Sequence, residues 1–433
     1  MEIEALLNRD IPCSCGRTHR CDIEQVLIGD RALEKLSEAL GKYRHVLLVA
    51  DENTYPLCGE RVCALLGDRV EGVCMMKSGE EGLVVPDEES ILYIEQRLSA
   101  KTELILGIGS GVINDLCKYV SYFHGLKCGI VATAPSMDGF ASSGAAMIIK
   151  GMKVTYTTHA PCLILGDVEL LRNAPMDMIR SGYADIIGKY SALCDWRLSA
   201  LVNREYICPE VYDLVKKKTD LIRSLAKDIL DRKPEAIREL MSDLVLIGVT
   251  LTLLSTTRPG SGSEHHLSHY FEITGLLRKE PYFLHGTDVG YATVVTAGLR
   301  ERLRKMDKFS AVSLSDETRE QCYRAVYGTL AEEVSLLQRE AGRYETDSKE
   351  KVHRIYETHW KEIVQILAEC PTAAEIETML TDCGFDMTLF EKQYGRKKIE
   401  EGILLAKDLK DRYSVLWLYC SMFFDEEEAK RIL

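Results

Sequence analysis

The sequence predicts an α/β domain built on a parallel sheet, followed by an all-helical domain. Short runs rich in Val, Leu and Ile recur in the first part of the chain, at residues 45–50, 103–108 and 127–133. Runs of that kind suit strands buried on both faces. Helical stretches at 88–98 and 113–123 lie between them. Strands alternating with helices imply βαβ units with right-handed crossovers. After about Pro175 long amphipathic patterns take over, at 211–230, 243–254, 316–340 and 349–368. Gly166, Pro175 and mixed polarity interrupt the periodicity near 167–180, so the expected domains are 1–172 and 173–433.

Composition narrows the function. The chain has 433 residues, 46% hydrophobic and 28% charged, a globular balance long enough for two cores. The acidic opening MEIEALLNRD is followed by no apolar stretch of secretory type. The longest apolar run, 244–254, is far short of the roughly 20 residues of a membrane span. Fifteen cysteines without paired spacing suit a reducing compartment, and a soluble cytoplasmic protein is expected. A net charge of −13 argues against nucleic acid or an anionic membrane as partner, although a few local cations could still hold one phosphate.

The strand at 103–108 runs into Gly107-Ile-Gly109-Ser-Gly111 and then a helix start. Glycines there let a pyrophosphate approach the backbone, and a helix N-terminus offers N–H donors with partial positive charge. The spacing is not the G-x-G-x-x-G fingerprint, so a βα turn that needs glycine only for its geometry stands beside the phosphate reading. Asp51 ends the strand at 45–50. It can accept from ribose hydroxyls and disfavour a 2′-phosphate, or it can cap the turn at Glu52, Asn53 and Thr54; both readings stand.

Four of the ten histidines fall between 265 and 285. Ser261 and Glu264 have capping-box spacing, so a helix is expected to begin there. His265 and His269 then share one face, and His285 lies in a loop before the apolar run 289–296. Two imidazoles and one carboxylate form an open divalent-metal site, and the candidate carboxylate is Asp185, at a helix start after Gly182. The bland alternative for Asp185 is stabilisation of that helix N-terminus.

Several blocks in order resemble a known superfamily. They are Val49-Ala-Asp51-Glu-Asn-Thr-Tyr55, Gly109-Ser-Gly-Val-Ile-Asn-Asp-Leu116, Thr133-Ala-Pro-Ser-Met-Asp138-Gly-Phe-Ala-Ser142, Gly182-Tyr-Ala-Asp185, Gly262-Ser-Glu-His265-His-Leu-Ser-His269, Leu284-His285-Gly, and Lys407-Asp-Leu-Lys-Asp-Arg-Tyr413. The superfamily is that of dehydroquinate synthases, glycerol dehydrogenases and iron-containing alcohol dehydrogenases, and the match is nearest to the bacterial branch of sn-glycerol-1-phosphate dehydrogenases. The resemblance implies a dehydroquinate synthase-like fold with a Rossmann-like dinucleotide-binding domain and a helical metal- and substrate-binding domain. It implies NAD or NADP, and one divalent metal (nickel, zinc or iron) on Asp185, His265 and His285. Cofactor contacts would come from Asp51, from Gly111, Val112, Ile113, Asn114 and Asp115, from Thr133, Ala134, Pro135 and Ser136, and from Ser142. Asp138, Asp185 and His269 would meet substrate, with Asp185 and His269 catalytic. The implied reaction is reversible reduction of dihydroxyacetone phosphate to sn-glycerol 1-phosphate, in a homo-oligomer. Met137 stands where archaeal-type relatives would have histidine, a local departure beside the substrate residues.

Arg258 and Lys189 are the candidate cations for the substrate phosphate. Cys13, Cys15, His19 and Cys21 fall close together, but C-x-C is not ordinary zinc spacing and no second pair follows, so an ordinary strand and turn is expected there. Three function classes remain: a dehydrogenase, acting on the phosphate ester or on a free polyol; a phosphate-eliminating cyclase like dehydroquinate synthase; and a nucleotide-binding protein without catalysis. The last is disfavoured by the intact ligand set.

Overall fold

The computed structural model describes residues 3–78, 84–149 and 152–433. The chain forms two compact units. The first runs to Ile186 and takes in Asp220–Thr257; the second comprises Ile187–Thr219 and Arg258–Leu433.

The strands of the first unit are β1 (Arg9–Pro12), β2 (Thr18–Cys21), β3 (Gln25–Gly29), β4 (Val46–Asp51), β5 (Val70–Met76), β6 (Leu104–Gly109), β7 (Lys127–Ala132), β8 (Gly144–Ile149), β9 (Met152–Thr157) and β10 (Leu163–Asp167). Six of them make one parallel sheet in the order β3-β10-β7-β6-β4-β5. The expected strands correspond to β4, β6 and β7. β6 is buried at every residue and β4 at all but its last, as a sheet covered on both faces requires. Leu48, Ala50, Leu106, Ile108, Val131 and Leu165 belong to its core.

The order carries functional information. From β4 the chain passes outward to β5, then crosses back to place β6 on the other side of β4. That reversal is a topological switch point, where ligands of open α/β sheets bind outside the carboxyl ends of the strands.

The expected boundary at 172/173 does not hold. The Met176–Ile187 helix begins in the first unit, and the Pro234–Leu254 helix returns to it from later in the chain. A Cβ at Gly166 would lie 3.3 Å from Met241 Cγ, the Arg232 guanidinium donates to the carbonyls of Arg172 and Ala174, and Thr252 Oγ1 donates to the Ala141 carbonyl at 2.8 Å. Helical periodicity marks such a segment as helical and says nothing about which core receives it. The second unit is helical throughout. No helix of the described residues is long and apolar enough to cross a membrane.

Candidate active site

In the first unit the carboxyl ends of the neighbouring strands β4, β6 and β7 bring three candidate segments to one edge of the sheet. β6 ends at Gly109, and the Gly111–Phe123 helix starts after a single residue, Ser110. So tight a turn needs glycine: a Cβ at Gly109 would sit 2.6 Å from Ile113 Cγ1. Ser110 does not cap the helix. Its hydroxyl pairs with that of Ser136 instead, so it caps none of the first helical N–H groups. The Thr133 amide donates to the Gly109 carbonyl at 2.9 Å, which ties residues 133–136 to the turn.

Asp51 stands at the end of β4, and its Oδ1 accepts from the amides of Asn53 (2.9 Å) and Thr54 (2.7 Å). The capping reading is therefore satisfied by one oxygen, while the second leaves room for the ribose reading. Asn114 and Asp115 are less direct. Asn114 Nδ2 donates to the carbonyls of Gly139 and Phe140, and Asp115 accepts from the Ala146 amide and pairs with Lys118. Their side chains hold protein to protein.

Lys118, absent from the expected residues, organises this region. It is fully buried, and its ammonium reaches the carbonyls of Gly139 (3.2 Å), Ser142 (3.4 Å) and Gly144. It thereby straps down the segment that carries Asp138 and Ser142. The one available signal was a lysine three residues after Asp115 on the buried side of an amphipathic helix. Met137 packs over the helix start, with its Cε 3.2 Å from where a Cβ would stand on Gly111. Asp185 is fully buried, and its Oδ2 accepts from the Asp138 amide at 2.9 Å. The two acidic candidates are thus coupled through the backbone.

In the second unit the expected histidine helix is Ser263–Arg278, with Gly262 at its N-cap and no capping by Ser261. Glu264 turns the other way: its Oε1 accepts from the Gly262 amide (2.7 Å) and from His265 Nδ1 (2.8 Å). A carboxylate that accepts at Nδ1 fixes the proton on that nitrogen and leaves Nε2 as the ligating atom. His285 is the first residue of the His285–Arg304 helix rather than part of a loop, and its Nδ1 lies 3.3 Å from Ser268 Oγ. The imidazoles of His265, His269 and His285 cluster with ring centroids 5.1–6.4 Å apart, and a ligand nitrogen of His265 lies within 4.8 Å of one on His285.

Two buried contacts hold this helix start. Arg300 Nη2 pairs with Asp195 Oδ1 at 2.8 Å, while Asp195 Oδ2 accepts from the Ser263 amide at 2.7 Å. One turn into the second helix, buried Asp288 accepts from Tyr394 Oη at 2.8 Å; burial pushes its carboxyl well above the ordinary range. Sequence reasoning missed Asp195, Arg300 and Asp288, which carry no motif and acquire meaning only as partners.

The expected phosphate cations both bond to the protein itself. Arg258 is buried, with Nε bonded to Glu205 Oε1 (2.7 Å), Nη1 to the Tyr413 carbonyl (2.6 Å) and Nη2 to Ser199 Oγ (3.1 Å) and Glu205 Oε2 (2.5 Å). Lys189 is buried with its ammonium on the Gly260 carbonyl at 2.9 Å. Both groups are buried and bonded within the second unit. Arg412 is a further cation at this helix start. It donates to the Ser261 carbonyl at 3.0 Å, beside the histidine helix, and burial, then Arg258, pushes it down to about 10.

Comparison with known proteins agrees with this architecture. Residues 27–175 match the family model for iron-containing alcohol dehydrogenase. The glycerol-1-phosphate dehydrogenase (NAD(P)+) of Bacillus licheniformis is 34% identical over 323 residues, 73% of this chain and 79% of the relative. The chain belongs to the glycerol-1-phosphate dehydrogenase family. The member from Halalkalibacterium halodurans, also 34% identical, is matched over 69% of this chain and 76% of its own length. In fold the family member resembles a solved glycerol dehydrogenase from Schizosaccharomyces pombe, with a TM-score of 0.53 at 15% identity, covering 87% of this chain and 94% of that one.

Proposed function

We propose that this chain reduces dihydroxyacetone phosphate to sn-glycerol 1-phosphate with NAD(P)H, using one divalent metal held by Asp185, His265 and His285. Family membership supports the reaction class. The observation that carries the metal is the Glu264–His265 pair, which sets an imidazole in the ligating tautomer beside a second histidine. Two neutral imidazoles and a carboxylate fit a divalent ion that keeps an open position. When bound, such an ion polarises the carbonyl and offsets the charge that develops as hydride arrives.

The chain's own residues do the rest. The turn at Gly109–Gly111 and the helix start receive the dinucleotide phosphates, and Asp51 takes ribose hydroxyls through the oxygen not used by its own turn. Asp138 orients the substrate hydroxyl, its amide held by Asp185. His269, half-buried beside the other two imidazoles, passes a proton to the product oxygen. Arg412 takes the phosphate, since its guanidinium stands beside the histidine helix and can give a dianion charge-assisted hydrogen bonds. As the resemblance implies, the assembly is a homo-oligomer.

A second reading, a dehydrogenase of uncharged polyols, is favoured by one observation: Arg258 and Lys189 are both consumed internally. NADH oxidation decides between them, with dihydroxyacetone phosphate against dihydroxyacetone, in metal-stripped protein reloaded with nickel, zinc or iron. Preference for the phosphate ester is expected. Preference for the free ketone would install the polyol reading.

A further inference from the structure

The N-terminal hairpin carries a feature the dehydrogenase reading does not use. β1 and β2 pair antiparallel, with Pro12 opposite Thr18 and Ile11 opposite His19. The connecting residues form a tight turn: the Cys13 amide donates to the Arg17 carbonyl and the Gly16 amide to the Cys13 carbonyl, both at 3.0 Å. Gly16 has a φ of +82°, a left-handed conformation that glycine adopts without strain. This backbone folds Cys13 and Cys15 back toward His19. One ligand atom from each of the three lies within 4.8 Å of the others, and Cys15 Sγ is 3.3 Å from His19 Nε2.

These distances have a chemical meaning. In a tetrahedral zinc site the metal stands about 2.3 Å from sulfur and about 2.0 Å from nitrogen, which separates a sulfur from a nitrogen ligand by roughly 3.5 Å. The Cys15–His19 spacing is close to that. His19 is buried while Cys13 and Cys15 are half-buried, so the ring is fixed in place and the sulfurs remain reachable. Cys21, two residues on along the same strand face, is fully buried and packs as an apolar group. The C-x-C spacing that argued against a metal is offset by the turn, which brings His19 round to supply a third ligand that the linear spacing hides.

We infer that Cys13, Cys15 and His19 bind a structural, zinc-type divalent ion that staples the β1–β2 hairpin, distinct from the metal of the dehydrogenase site. Both cysteines bind as thiolates, so uptake releases their two protons to solvent. The fourth position falls to a donor the hairpin does not supply. The staple has something to brace, because β2 packs on the Pro234–Leu254 helix. The same helix supports the Asp138–Ala141 turn: a Cβ at Gly248 would lie 2.6 Å from the Asp138 carbonyl oxygen.

Cobalt substitution of the full-length protein tests this independently of the catalytic reading, since Asp185, His265 and His285 include no sulfur. Wild-type protein titrated with Co(II) should develop the near-ultraviolet charge-transfer absorption of thiolate-bound cobalt. His265→Ala should keep that absorption, whereas Cys13→Ser/Cys15→Ser and His19→Ala should each lose it together with one equivalent of bound zinc. Failure of the dehydrogenase assay would leave these results untouched. Wild-type protein without the thiolate band, or a double variant that binds as much zinc as wild type, would overturn the hairpin site. The wild-type spectrum carries the test even if the double variant does not fold.

Discussion

Gly182→Ala sets helix propensity directly against packing. Gly182 lies inside the Met176–Ile187 helix, where alanine is intrinsically better by about 1 kcal/mol. On propensity alone the substitution stabilises. The structure reverses the sign. A Cβ at this position would stand 1.9 Å from the Pro135 carbonyl oxygen, 2.8 Å from its carbonyl carbon and 3.0 Å from Leu244 Cδ1. A backbone carbonyl cannot swing away as a side chain can, so either the helix or residues 133–136 must move by about an ångström. Overpacking of that kind costs typically 1–3 kcal/mol, occasionally more. With the contact on backbone at both ends, the upper part of that range applies, and a net loss of about 2 kcal/mol is expected. Residues 133–136 are held to the Gly109 turn, so the displacement should also weaken NADH binding. Urea unfolding and NADH fluorescence titration measure the two effects on one preparation. A variant as stable as wild type, with unchanged NADH affinity, would refute the claim that this glycine is needed for close approach.

Asp185→Asn, His265→Ala and His285→Ala should each lose the catalytic metal and turnover while retaining wild-type circular dichroism; full metal content in two of the three would remove the proposed ligand set. Arg258→Ala removes the guanidinium paired with Glu205, which still accepts from the Ser199 hydroxyl, and breaking such a pair costs about 3–5 kcal/mol where burial is complete. Because Glu205 is partly exposed, a loss at or below the lower end is expected, with equal effects on phosphorylated and free ketone; a selective rise in KM for the phosphate would restore Arg258 as a substrate residue. Arg412→Ala should instead raise the KM for dihydroxyacetone phosphate about 10- to 100-fold, the loss of one charge-assisted hydrogen bond at about 1.5–3 kcal/mol, with little change for dihydroxyacetone. Asp51→Asn should move the kcat/KM ratio of NADH to NADPH toward NADPH; an unmoved ratio would leave Asp51 only its role in the turn at Asn53 and Thr54.

The parallel sheet was legible because β4, β6 and β7 are apolar at nearly every position, a pattern that only burial on both faces produces. The histidine helix was legible from i, i+4 spacing, though its start was not: Glu264 has the spacing of a capping residue but spends its carboxylate on His265 and Gly262. Charge proved the least legible quantity. Arg258 and Lys189 look like substrate cations because they flank motifs, whereas the direction of a side chain depends on what lies behind it. Lys118 shows the converse, a lysine in an apolar helix face that acquires its role only once the carbonyls of residues 139–144 fold over it. The hairpin was discounted for the same reason, since linear spacing does not record a turn that reverses the chain.

The return of Asp220–Thr257 to the first unit bears on how the chain emerges from the ribosome. All six strands of the main sheet have been synthesised by Asp167, yet the helix that packs against Gly166 and supports the Asp138–Ala141 turn is not complete until Leu254. For that stretch of synthesis the apolar surface that this one helix covers stays exposed, a state open to aggregation or chaperone capture. A fragment ending at residue 186 should therefore be poorly soluble when expressed alone. Supplying residues 220–257 as a separate peptide should rescue it, as a missing piece of the same core would.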